Sequence, residues 1–84
     1  LKNKNIIRAA ETVFRIFPNP SSGDFNISCN GKANLVVYNS WGEKLFSDSF
    51  ENSTVFGKNL PKGLFFALID CENGQSKTFK LIKQ

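Results

Sequence analysis

The sequence predicts an all-β protein, a small antiparallel β-sandwich of about seven short strands. Three observations point there. After residue 12, short runs rich in Val, Ile, Leu and Phe are interrupted by Gly, Pro and Asn. The interruptions recur roughly every 8–12 residues, the spacing of sandwich turns. Several runs alternate apolar with polar residues, the period of a half-buried strand, and none repeats its apolar residues at helical spacing.

Residues 1–12 (LKNKNIIRAAET) have weak apolar content and no period, and read as a linker or leader. A helical turn within residues 6–11 would be too short to hold in water by itself. Residues 13–17 (VFRIF) are β-branched and aromatic and form the first predicted strand. It is ended by Phe17-Pro18-Asn19-Pro20-Ser21-Ser22-Gly23, the stretch that organises the chain. Each proline lacks a ladder N–H and pushes the residue before it towards an extended conformation, so the segment fits neither a helix nor a central strand. Gly23 is free to complete the turn.

Residues 24–29 (DFNISC) place Phe25, Ile27 and Cys29 on one face of a second strand. Asn30-Gly31 is a hairpin signal, and predicts a turn into a third strand over residues 34–39. Residues 40–43 (SWGE) make a tight turn, and residues 44–47 return beside the third strand. A short strand is expected around Val55 and Phe56. A second Pro–Gly corner, residues 59–63, precedes the most apolar run, residues 64–69 (LFFALI). That run is short and bounded by Gly63 and the turn Asn73-Gly74, which favours a buried strand. Residues 78–83 (TFKLIK) form the last strand.

Composition bounds what such a domain does. Its 84 residues suffice for one small domain. A chain this size buries roughly 60–65% of its unfolded surface, so the core is modest. Nine phenylalanines supply it. Methionine is absent, even at position 1, as expected of a mature fragment or of one domain cut from a longer protein. The net charge of +4 is spread along the chain without a basic run, which argues against a nucleic-acid partner. Scattered lysines instead keep strand edges unpaired. No stretch reaches the roughly 20 apolar residues of a membrane-spanning helix, and residues 1–12 carry no secretory signal.

Histidine is absent, which removes the commonest general base and metal ligand. The serines have no base beside them and no nucleophile-elbow glycines. No helix follows the glycines to bind phosphate. No metal site, cofactor motif or catalytic group is expected, and an enzyme is disfavoured. Cys29 and Cys71 both fall on core-facing positions of their strands. They read equally well as a disulfide, if their strands are neighbours, or as two buried thiols acting as small hydrophobes. Leu64, Phe66 and Leu68 make the other face of the LFFALI strand apolar. That face needs cover from the leader, a homodimer partner or another molecule.

Four motifs occur in order: FPNPSSGDFNI, LVVYNSWGEKLF, LPKGLFFALI and KTFKLIKQ. Together they closely resemble the C-terminal sorting domain of the type IX, or Por, secretion system of Bacteroidota. The matching positions are Pro18-Asn19-Pro20 with Gly23, Val37-Tyr38 with Gly42, Leu60-Pro61-Lys62-Gly63, and Lys80-Leu81-Ile82-Lys83. The resemblance covers residues 13–84. Asn39 stands where the family usually has Asp, and Glu43 where a basic residue is common. Phe65 replaces a frequent Tyr and Leu68 a frequent Arg. The cysteines lie outside the family pattern.

The resemblance implies an Ig-like sandwich that directs an upstream cargo in the same chain across the outer membrane. Its implied partners are the type IX translocon and a sortase-like peptidase that cuts in or before residues 1–12. The implied route is the periplasm in transit, then the cell surface or the outside. Exposed, rigid corners suit an address label, which nominates Pro18, Asn19, Pro20, Gly63, Lys80 and Lys83 for recognition, the lysines by charge or strand edge. The same residues also read as turn-formers and edge-blunting lysines. The rival class is an Ig- or fibronectin-like module binding carbohydrate or protein through Trp41 and the Leu64, Phe66 and Leu68 face.

Overall fold

The computed structural model describes residues 13–84. The linker expected over residues 1–12, with its helical turn, lies outside the described residues. Among the described residues five strands form one sheet, each pair antiparallel: β1 (Arg15–Phe17), β2 (Phe25–Asn39), β3 (Lys44–Phe56), β4 (Gly63–Cys71) and β5 (Ser76–Lys83). The all-β antiparallel class agrees with the sequence. The strand number is corrected from about seven to five, because two pairs of expected short strands are continuous.

The first merger is β2. Asn30-Gly31 does not turn the chain back. Between the pairs Ser28–Ser53 and Lys32–Glu51, residues 29–31 of β2 lie opposite Asn52 alone. This is a β-bulge that bends the strand while pairing continues on both sides. Gly31 supplies a φ of 93° there, and its N–H donates to Asn52 Oδ1 at 3.1 Å. Asn52 itself has a φ of 71°. A hairpin turn and a bulge both need a residue tolerant of positive φ, so the same dipeptide serves either. The second merger is β3, where the polar stretch around Ser49–Ser53 stays extended because β2 pairs with it along its length.

β2 is the organising strand. β3 holds one of its edges throughout. β1 takes the other edge beside Asn26–Ser28, and β4 takes it from Ala33 to Asn39. β5 then pairs with β4. The core is one cluster. Phe25, Ile27, Leu35, Val37, Ala67, Ile69 and Leu81 are fully buried, with Phe56 stacked on Phe25 at 5.6 Å between ring centres. Burying one such aliphatic or aromatic side chain stabilises the fold by about 1.5–3 kcal/mol. Alternation along β4 sends Phe65, Ala67, Ile69 and Cys71 inward and leaves Phe66 and Leu68 half-buried outside.

The β2–β3 hairpin is built by Asn39. Its Oδ1 accepts from the N–H groups of Trp41 (3.1 Å) and Glu43 (2.9 Å), and its Nδ2 donates to Glu43 Oε1 at 2.9 Å. The two departures from the sorting-domain pattern at this turn therefore contact each other. An amide at 39 gains a donor that a carboxylate lacks, and Glu43 supplies its acceptor.

Candidate functional site: a clasp between the first turn and the last strand

Three of the four sequence motifs, the PNP turn, the LPKG corner and the last strand, converge on one corner. In the Pro18–Ser21 segment only Asn19 and Ser21 carry a backbone N–H, and both residues reach β5. Asn19 does so with its side chain. Its Nδ2 donates to Lys80 O at 2.7 Å, and its Oδ1 accepts from the Ile82 N–H at 3.0 Å. The carboxamide presents one donor and one acceptor side by side, as a strand backbone does, and so pairs with the outer edge of β5. Ser21 continues the pairing with its main chain. Its N–H donates to Ile82 O (3.0 Å) and its carbonyl accepts from the Gln84 N–H (2.8 Å), a parallel bridge to Lys83.

Ser21 is 3% exposed, and its hydroxyl closes the turn behind it. The Oγ donates to Asp24 O at 2.6 Å and accepts from the Gly23 N–H at 3.1 Å. Nothing in the sequence singled Ser21 out from Ser22. Only the depth of the turn separates them.

Lys83 lies on the inward face of β5 with Leu81 and is 5% exposed. Its ammonium donates to three carbonyls of the β3–β4 loop: Gly57 O, Lys58 O at 3.1 Å and Leu60 O at 3.0 Å. An ammonium has three donors, and here all three are used. Burial of the charge is tolerable only with such partners. Lys83 thus presents no charge outward, contrary to what its sequence position suggested, and instead fixes the loop that leads into β4. That loop is also tight at Gly57. Its φ is 93°, and a Cβ there would meet Phe25 Cδ2 at 2.8 Å. Gly63, with a φ of 147°, opens β4 directly opposite Lys83.

Pro18, Asn19, Pro20, Gly63 and Lys80 are exposed around this corner. One end of the molecule therefore joins the PNP turn, the LPKG corner and the last strand. The remaining nominated residues lie elsewhere. Trp41 is 82% exposed at the β2–β3 turn, near Leu45, Pro61 and Leu64, which line a shallow groove with it. Leu64, Phe66 and Leu68 sit on the outer face of β4, beside Ile82, Tyr38 and Val36.

Cys29 and Cys71 are free thiols, each 6% exposed. The Cys29 S–H donates to Gly31 O at 3.8 Å, and Cys29 is pushed up to about 11, first by burial and then by the neighbouring Cys71. Among the described residues no group of three or more His, Cys, Asp or Glu side chains is placed to hold a metal ion.

Among the described residues the chain is thus a five-stranded antiparallel sheet whose first turn and last strand hold one another, with Pro18, Asn19, Pro20, Gly63, Lys80 and Lys83 gathered there. The family model described as the secretion system C-terminal sorting domain matches residues 15–84. The chain belongs to that family, the sorting domains of type IX secretion. Curated proteins give no significant match to it. Membership identifies a C-terminal signal for export by the type IX system, a domain attached to an upstream cargo and handled by secretion machinery.

Proposed function

We propose that residues 13–84 act as a folded address label rather than an enzyme, read by the type IX translocon at the clasp corner. The carrying observation is that Asn19 pairs with β5 through its side chain, so the PNP turn and the last strand form one rigid, exposed surface. Pro18, Asn19, Pro20, Gly63 and Lys80 are the accessible residues of that surface, while Lys83 holds it from behind. A sortase-like peptidase then separates label from cargo in or before residues 1–12, leaving the cargo at the cell surface or outside. The fold is read as Ig-like.

Export of a fusion tests this. A periplasm-directed fluorescent protein followed by residues 1–84 should leave a host with a working type IX system and stay in the periplasm of a strain lacking the translocon. Retention of the folded fusion in both strains would overturn the reading. The exposed Trp41 and the apolar Leu64, Phe66 and Leu68 face support a second reading, a carbohydrate- or protein-binding module or a homodimer surface. On that reading Trp41→Ala abolishes binding and leaves export unchanged.

A further inference from the structure

The bulge in β2 has a second effect. It lies just before the point where β4 joins β2, where Cys71 pairs with Ala33 and the Glu72 N–H donates to Lys32 O at 3.0 Å, so Cys29 in the bulge precedes that junction on the neighbouring strand. Both thiols are buried in the same core cluster, and Cys71 is near enough to help push the Cys29 thiol up. The partners are 42 positions apart in the chain and adjacent in the fold. We propose that Cys29 and Cys71 are a redox modification site, closed to an intramolecular disulfide that joins β2 to β4 when the domain meets an oxidising compartment.

Two independent lines support this. The fold has already buried both thiols in one core cluster on neighbouring strands, so forming the bond needs no rearrangement of strand order. And an exported chain leaves the reducing cytoplasm, while exported proteins are where disulfides persist. The compartment rests on the sorting reading, but the pairing rests on the geometry alone.

The chemistry is thiol–disulfide exchange with a disulfide-bearing oxidoreductase or glutathione disulfide as oxidant. One cysteine thiolate attacks the oxidant's S–S bond, forms a mixed disulfide and expels the first oxidant thiolate. The second cysteine thiolate attacks the protein sulfur of that mixed disulfide and expels the second. Two S–H bonds are lost and one S–S bond is formed. Two protons go to solvent and two electrons to the oxidant. Burial makes the Cys29 thiolate scarce once the core is packed. The exchange therefore belongs to the folding chain, before β4 seals over β2.

The test is refolding of the reduced 84-residue chain from denaturant in a glutathione buffer poised at about −180 to −210 mV. Free thiols are counted after renewed denaturation, and chain association is read on a non-reducing gel. Both thiols should disappear within the monomer, and the melting midpoint should stand on the order of 10–20 °C above that of the same sample with reductant. Reductant should not shift the midpoint of Cys29→Ala or Cys71→Ala. Two titratable thiols, or a bond only between chains, would overturn the proposal, and the wild-type comparison stands even where a variant fails to fold. The same thiol count on the fusion collected outside the exporting host separates the two readings. Exported protein with two free thiols refutes the disulfide. Retained protein with the internal bond refutes sorting and leaves the disulfide standing.

Discussion

β5 and β3 are both edge elements of the same sheet, yet they are held in different ways. β5 has β4 on one side and, on the other, the Asn19 carboxamide and the Ser21 backbone. Its inward face ends in an ammonium with three carbonyl partners. β3 is longer, but among the described residues its ladder runs to β2 alone. Its exposed positions are mostly polar or charged, with Leu45 and Val55 the apolar exceptions, and it reaches the core mainly through Phe46, Phe50 and Phe56. Edge strands of the β3 kind are kept from pairing by polar and charged side chains, whereas β5 is covered by a dedicated cap. Length of a strand is thus no guide to how firmly it is held. The shorter one carries the constraints that join distant parts of the chain.

Substitutions at graded positions test that contrast. The largest effect is expected at Lys83→Ala, which leaves three carbonyls of a closed loop without their donor. It should cost about 3 kcal/mol or more in urea denaturation, and a loss under about 1 kcal/mol would mean that solvent replaces the ammonium. Asn19→Ala should cost about 1–2 kcal/mol and speed hydrogen exchange at the Ile82 amide. An unchanged exchange rate there would show that the carboxamide does not cap β5. The smallest effect is expected on β3. Val55 is 56% exposed, and Val55→Thr should change stability by less than about 0.5 kcal/mol. A loss as large as that of Asn19→Ala would erase the distinction between the two edges.

Much of this was legible in the residues. Alternation in DFNISC and LFFALI set which side chains face the core, and the structure places Phe25, Ile27, Phe65, Ala67 and Ile69 there. Asn73-Gly74 makes the expected hairpin, with Gly74 at a φ of 91° and the Gln75 N–H on Asn73 Oδ1 at 3.0 Å. Asn30-Gly31 has the same local chemistry and a different outcome, because local preference specifies a positive φ but not whether the chain reverses. What decides is the partner strand, and Asn52, which receives the Gly31 N–H, lies 21 residues away. The site shows the same limit. The PNP and LPKG motifs were visible, but the burial of Lys83 and Ser21 follows from contacts across the whole domain. A lysine near the end of an amphipathic strand looks solvated until the loop that accepts its protons is in view.

The Asn19 clasp also bears on the order of assembly. Its partners lie 61 and 63 residues further along the chain. At typical rates of synthesis, about 5–20 residues per second, the turn waits on the order of 3–12 s before its strand exists. Contacts of such separation close late in folding. A chain that stops short of Lys80 has the turn and the residues of β1 to β4 but nothing for Asn19 to hold, and the carbonyls of Gly57, Lys58 and Leu60 lack their cation. The corner therefore forms only in a chain that reaches Lys83, and its presence reports that β5 has been made and docked.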